Sequence, residues 1–139
     1  MSKVREAMVS EPRTLEASAP AVEAGQLLAR PEVRAVFVSD EGRLVGVVTR
    51  KTLVREVVAT GRDPRETRVG EIAEEPYYTL DSELDLEEAF RFLDEHDAER
   101  VPVVEGGGRL VGVLSRELVQ RRLAEDEPPE AEPEDQQQV

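Results

Sequence analysis

Apolar and polar positions alternate along the chain in an order that occurs twice. Ala35-Val-Phe-Val38 is an apolar run, followed by the polar turn Ser39-Asp-Glu-Gly42 and a second run, Leu44-Val-Gly-Val-Val48. Val101-Pro-Val-Val104, the turn Glu105-Gly-Gly-Gly108 and Leu110-Val-Gly-Val-Leu114 repeat it. Apolar run, Gly-bearing turn, apolar run predicts a β-hairpin, here over 34–39 with 43–49 and over 100–104 with 109–114. Within these hairpins the phrase Gly42-Arg-Leu-Val-Gly-Val-Val-Thr-Arg50 returns 66 residues later as Gly108-Arg-Leu-Val-Gly-Val-Leu-Ser-Arg116, identical at seven of nine positions. An internal repeat dictates the architecture before any single motif does.

The flanking segments repeat as well. Val4–Val9 and Val69–Ile72 are short lead-ins, closed by Pro12 and Pro76. Arg13-Thr-Leu15 and Tyr77-Tyr-Thr-Leu80 are short extended pieces. Ala21, Ala24, Gly25 and Leu28 recur at helical spacing, with Ser18 available as a cap, Pro20 in the first turn and Pro31 ending the helix. Leu86, Ala89, Phe90 and Leu93 do the same over 84–96, with Asp81 or Ser82 as the cap. A helix over 50–59 turns Leu53, Val54, Val57 and Val58 inward, and one over 115–124 turns Leu118, Val119 and Leu123 inward. Each half therefore reads strand, helix, strand, strand, helix. The fold class is α/β: two such repeats about a pseudo-twofold axis, spanning 1–62 and 63–124. A half of this size is marginal as an independent core, so the two share one.

Composition narrows the function. The chain has 139 residues and a formal charge of −13. Residues 125–139 contribute −7, leaving −6 on residues 1–124. That tail has no means of burying apolar surface and reads as disordered. An acidic body is a poor surface for nucleic acid or an anionic membrane. There is no Cys and one His, so disulfides, thiolate metal sites and His clusters are excluded. No stretch approaches the roughly 20 apolar residues of a membrane span, and residues 1–6 lack a signal peptide's apolar segment; the expectation is a cytoplasmic protein. No catalytic constellation is present. Gly106-Gly-Gly108 lacks the Lys and Ser/Thr of a phosphate-binding P-loop. His96, between Asp94 and Asp97, reads as an exposed helix-end residue.

The twice-repeated order and the phrase G-x-L-V-G-V-[VL]-[TS]-R closely resemble the cystathionine-β-synthase (CBS) domain. Two in tandem form a Bateman module, and the resemblance covers about residues 3–123. It implies a regulatory module, requiring no cofactor, that binds an adenosine-containing ligand (AMP, ADP, ATP or S-adenosylmethionine) in the clefts between the paired domains. It also implies a homodimer and, for a pair without an attached effector domain, signalling in trans to an effector protein. The alternative is a ligand-free dimerisation scaffold.

Site residues follow position by position from the resemblance. Thr49 and Ser115, at strand-to-helix junctions, correspond to hydroxyls that meet phosphate or ribose; capping of the next helix requires the same placement. Where the family usually has an Asp gripping the ribose, this chain has Thr52. Glu117 takes that place in the second half when Leu53-Val54 is aligned with Leu118-Val119. Arg34 and Arg100, 66 residues apart before the first hairpin strands, correspond to phosphate contacts, and an Arg fork suits phosphate. Arg50 and Arg116 are matched neighbours of the hydroxyls. Thr14, Leu15, Thr79, Leu80, Val36 and Pro102 correspond to the lining of the base pocket, and Tyr77 and Tyr78 can stack on an adenine. The expected dimer interface is formed by the faces carrying Val54, Val57, Val58, Leu118 and Val119, with the helix at 84–96.

Overall fold

The repeated glycine inside the phrase explains how the halves are joined. A Cβ on Gly112 would lie 2.6 Å from Met8 Sδ and 2.8 Å from the Val9 carbonyl oxygen. A Cβ on Gly46 would lie 2.7 Å from the Glu74 carbonyl oxygen and 2.9 Å from Ala73 Cβ. In each repeat the hairpin's second strand is crossed closely by the lead-in of the other repeat. Only a residue without a side chain admits that crossing.

The computed structural model of the chain describes residues 2–10, 12–76 and 78–126. The tail expected to be disordered from Glu125 is corrected at its start, since Glu125 and Asp126 belong to the last helix; from Glu127 onward it falls outside the described residues, as do Met1, Glu11 and Tyr77. The lead-in forms helix α1 (Val4–Ala7) and strand β1 (Val9–Ser10). Strand β2 (Thr14–Glu16), helix α2 (Ala21–Leu28) and the hairpin β3 (Val36–Asp40) and β4 (Arg43–Val48) follow. Helix α3 (Arg50–Leu53) then continues as a π-helical segment, Val54–Val58. The second half gives α4 (Val69–Ile72), β5 (Leu80–Asp81), α5 (Leu86–Glu95), β6 (Arg100–Glu105), β7 (Arg109–Ser115) and α6 (Arg116–Asp126).

The strands make one sheet in the order β2-β3-β4-β7-β6-β5, with β1 antiparallel to β7. β2 runs parallel to β3 and β5 parallel to β6, while both hairpins are antiparallel. The seam between halves is made by the hairpin tips. There Arg43 faces Arg109, Leu44 N–H donates to the Gly108 carbonyl at 2.9 Å, and Leu110 N–H donates to the Gly42 carbonyl at 3.0 Å. Gly42 and Gly108 have φ of 85° and 103°, a left-handed conformation that glycine adopts without strain.

The lead-ins are exchanged reciprocally. Val9 pairs with Val113, and Glu74 pairs with Val47. Val4 N–H donates to the Leu84 carbonyl at 2.9 Å, and its counterpart Val69 N–H donates to the Ala19 carbonyl at 2.8 Å. In place of the single shared core expected from sequence there are two buried clusters, and they follow the exchange. Ala21, Ala24, Leu28, Val36, Val38, Val48 and Val57 pack with Val69 and Ile72 of α4. Leu80, Leu86, Ala89, Leu93, Val101, Val103, Leu114 and Val119 pack with Val4 of α1. The units that pack are thus not the units that repeat along the sequence.

Three local expectations are corrected. Ser18 does not cap α2; the extended residue Pro20 occupies the N-cap. Neither Asp81 nor Ser82 caps α5, which starts after Asp85. Asp81 instead accepts from Glu83 N–H at 2.8 Å, and Ser82 Oγ donates to Glu105 at 2.8 Å. Finally, Val54 and Val58 do not face the core: they are 56% and 71% exposed, while Val57 is buried. The π segment is the reason. Ala59 N–H reaches the Val54 carbonyl at 2.8 Å and Arg62 N–H the Val57 carbonyl at 3.0 Å, so the turn is wider than an α-turn and only Val57 keeps an inward position. Of the expected interface positions, Val57 and Val119 are therefore core residues.

The crossings make opposite predictions for two glycine substitutions. Gly112→Val destabilises the protein by about 3 kcal/mol, because Met8 and the Val9 backbone must move. Gly25→Ala in α2, where the nearest heavy atom to a new Cβ is Leu53 Cδ1 at 3.9 Å, stabilises it by about 0.5–1 kcal/mol. Chemical denaturation of both variants checks the pair of signs.

Candidate functional site

The exchange leaves two clefts at the line where the halves meet. The wide cleft, about 810 Å³, lies between the end of β4 and the start of α3 on one side and the start of β6 on the other. Thr49, Lys51 and Arg55 come from the first repeat, and Arg100, Val101 and Pro102 from the second. Glu74, Glu75, Pro76 and Tyr78 arrive on the exchanged lead-in and the segment after it. The narrow cleft, about 460 Å³, is bordered by Val9, Pro12, Arg13, Glu32, Arg34 and Val113 among others. Ala35, Phe37 and Arg100 border both, so the clefts share a wall.

One side of the wide cleft is a ring cluster. Tyr78 and Phe92 meet edge-on with centroids 5.1 Å apart, and His96 lies 4.5 Å from Tyr78 and 4.2 Å from Phe92. The His96 ring is held by Nδ1, 2.9 Å from the Phe92 carbonyl oxygen. Buried Pro102 adds apolar surface. The charges are mixed: Lys51, Arg55 and Arg100 against Glu74, Glu75, Asp97 and Glu99, with Arg55 and Glu74 ion-paired. That pair ties the π segment of the first repeat to the lead-in of the second.

The structure brings together some of the residues singled out from sequence. Thr49, Tyr78, Arg100 and Pro102 meet at the wide cleft, and Arg34 joins Arg100 at the narrow one; Tyr77 lies outside the described residues. The others border neither. Val36 and Leu80 are buried in the two cores, and Leu15 packs against the first. Thr14 and Thr79 are exposed. Thr52 is fully buried: its hydroxyl accepts from Thr49 N–H at 3.0 Å while Thr49 Oγ1 accepts from Thr52 N–H at 3.3 Å, a reciprocal cap at the start of α3. Ser115 caps α6, its Oγ accepting from Leu118 N–H at 3.2 Å. Glu117 is exposed beside Arg121 at 3.4 Å.

Arg50 and Arg116 have matched employment at the end of the preceding helix. Arg50 donates to the Arg30 carbonyl at 2.8 Å. Arg116 donates to the Leu93 carbonyl at 2.8 Å and the Ala98 carbonyl at 3.3 Å, with Asp94 at 3.2 Å. The guanidinium there adds a second donor to the Arg30 carbonyl, which also accepts from Val33 N–H at 3.0 Å, and to the Leu93 carbonyl, which also accepts from Ala98 N–H at 2.9 Å.

Lys51, Arg55, Glu74 and His96 were not singled out for the cleft from sequence. Lys51 and Arg55 follow the repeated phrase by one and five residues, which is a usable signal. Glu74 reaches the cleft only through its pairing with Val47, which nothing local in the sequence announces. Among the described residues, no group of three or more His, Asp or Glu could hold a metal ion, and no helix is long and apolar enough to cross a membrane.

Two halves built as strand–helix–hairpin–helix, exchanging lead-ins and enclosing paired clefts, define a CBS-domain pair. The CBS domain model matches residues 4–59 and again 69–125, and the chain belongs to that family. Among curated proteins it is 32% identical over 117 residues to Hypoxic response protein 1 of Mycobacterium tuberculosis, covering 84% of this chain and 78% of that one. It is 28% identical over 115 residues to the CBS domain-containing protein YhcV of Bacillus subtilis, covering 83% and 81%. Among solved structures, Hypoxic Response Protein I with two coordinated zinc ions superposes with a TM-score of 0.73 at 26% identity, covering 88% of this chain and 99% of that one. CBSX2 in complex with AMP superposes with a TM-score of 0.71 at 25% identity, covering 90% and 98%. The chain is a CBS-pair module of the regulatory type.

Proposed function

We propose that this CBS pair is a ligand sensor rather than an enzyme: it binds an adenosine-containing ligand (AMP, ADP, ATP or S-adenosylmethionine) in the wide cleft and signals in trans to a partner protein. The observation that carries this reading is the meeting of Thr49 from the first repeat with Arg100 and Pro102 from the second, beside the Tyr78–His96 face. An aromatic side chain suits a base, and an Arg fork suits phosphate. The CBSX2 structure, which contains AMP, supports the same ligand class. A molecule held by both repeats stabilises one arrangement of them over another, and the equilibrium shifts by the difference in affinity. Arg55 lies in the same five-residue π segment as the exposed Val54 and Val58, so a ligand that draws Arg55 from Glu74 acts directly on that apolar surface.

A second reading, a dimerisation scaffold with no ligand, is favoured by two observations. Thr52 stands where the family's ribose-binding Asp is usual and is spent on a helix cap, and Val54 and Val58 are exposed together. Both readings use this surface to pair two copies of the chain.

Two measurements separate the readings. In a thermal-shift panel with adenosine, AMP, ADP, ATP and S-adenosylmethionine, a ligand present at a hundred times its dissociation constant adds about 2.7 kcal/mol. The sensor reading predicts a rise in melting temperature with at least one of them, removed by Arg100→Ala; no rise with any favours the scaffold. In sedimentation, Val58→Glu shifts the protein to monomer without lowering its melting temperature below that of a monomer control. An unchanged dimer places the interface elsewhere.

A further inference from the structure

The chain's one histidine borders the wide cleft, and its surroundings fix which ring nitrogen carries a hydrogen. His96 is the C-cap of α5 and is exposed, with its ring 4.5 Å from that of Tyr78 and 4.2 Å from that of Phe92. Nδ1 lies 2.9 Å from the Phe92 carbonyl oxygen, which also accepts from His96 N–H at 3.1 Å. A carbonyl oxygen can only accept, so Nδ1 is the donor. In the neutral ring the other nitrogen, Nε2, is then an acceptor. Among the described residues Nε2 has no hydrogen-bond partner.

The residues that follow His96 are of the same kind. Asp97 and Glu99 border the same cleft, and a carboxylate only accepts. The cationic donors of the cleft stand elsewhere: Lys51 and Arg55 come from the first repeat, and Arg100 begins β6. The other repeat has no equivalent. Where the second repeat reads His96-Asp-Ala-Glu99, the first reads Arg30-Pro-Glu-Val33, 66 residues earlier. A neutral acceptor beside an aromatic pair is thus a property of the wide cleft and not of the repeat.

We propose that His96 selects the base of the ligand: Nε2 accepts a hydrogen bond from an amino group on the edge of a heterocycle resting against Tyr78, which for adenine is the 6-amino group. The inference rests on the adenosine reading of the wide cleft. It adds to that reading the residue that tells an amino-bearing base from its keto or unsubstituted counterpart. A keto oxygen at the same place sets one lone pair against another, and a bare C–H offers no donor. His96 is exposed, so water replaces a lost partner there. The discrimination expected is therefore about tenfold, far below that of a buried polar site.

Isothermal titration of the full chain with AMP, IMP and purine riboside 5′-monophosphate is the test, since the three share ribose and phosphate and differ at the 6-position edge of the purine. The site predicts that AMP binds about tenfold tighter than either analogue. His96→Phe keeps a ring beside Tyr78 and Phe92 and removes the acceptor; in that variant the three ligands bind within about threefold of one another. Arg100→Ala weakens all three by a common factor and leaves their ratios unchanged. The ratios in the parent test the proposal even where His96→Phe fails to fold. AMP binding no tighter than purine riboside 5′-monophosphate, or a preference for AMP that survives His96→Phe, overturns the proposal and leaves the adenosine reading standing. Binding of none of the three overturns the proposal as well, and the adenosine reading is then decided by the thermal-shift panel alone.

Discussion

Everything in this fold depends on two places where a backbone crosses another at glycine. At Gly112 the lead-in of the first repeat lies against the hairpin of the second, and at Gly46 the lead-in of the second lies against the hairpin of the first. Each crossing carries a short helix across with it, so Val4 completes one core and Val69 and Ile72 complete the other. Neither half has its full apolar complement alone. A domain of about 60 residues is marginal in any case. Here the marginality is resolved by exchange, and the clefts are its by-product, because the crossing strands form part of their walls.

The sequence made the repeated parts legible for a physical reason. Hairpins, their glycine turns and the amphipathic helices are set by short-range pattern, and a second copy confirms each. The Thr49 and Ser115 caps were legible in the same way, since a hydroxyl at a strand-to-helix junction has backbone N–H groups within reach. The exchange was not legible, because Val9 and Val113 are 104 residues apart and nothing in either segment names the other. The π segment was missed because an α-helical period places Val54, Val57 and Val58 on one face, whereas the wider turn keeps only Val57 inward.

The site was legible in part for related reasons. Arg34, Thr49, Arg100 and Pro102 sit at the ends of repeated strands, and strand ends are where the halves meet. Thr52 and Arg116, expected at the ligand from the resemblance alone, are consumed by local structure, a reciprocal cap in one case and helix-end carbonyls in the other.

The central claim is that reciprocal exchange makes the two repeats one cooperative unit. Native-state hydrogen exchange on the amides of β3 and β6 tests it, with Val69→Ala as the perturbation. Val69 belongs to the second repeat by sequence and to the first core by packing. The account predicts that β3 and β6 open with the same free energy, and that the substitution lowers both equally, by about 2 kcal/mol. Loss of protection in β3 with that in β6 unchanged would show two independently folding repeats and contradict it.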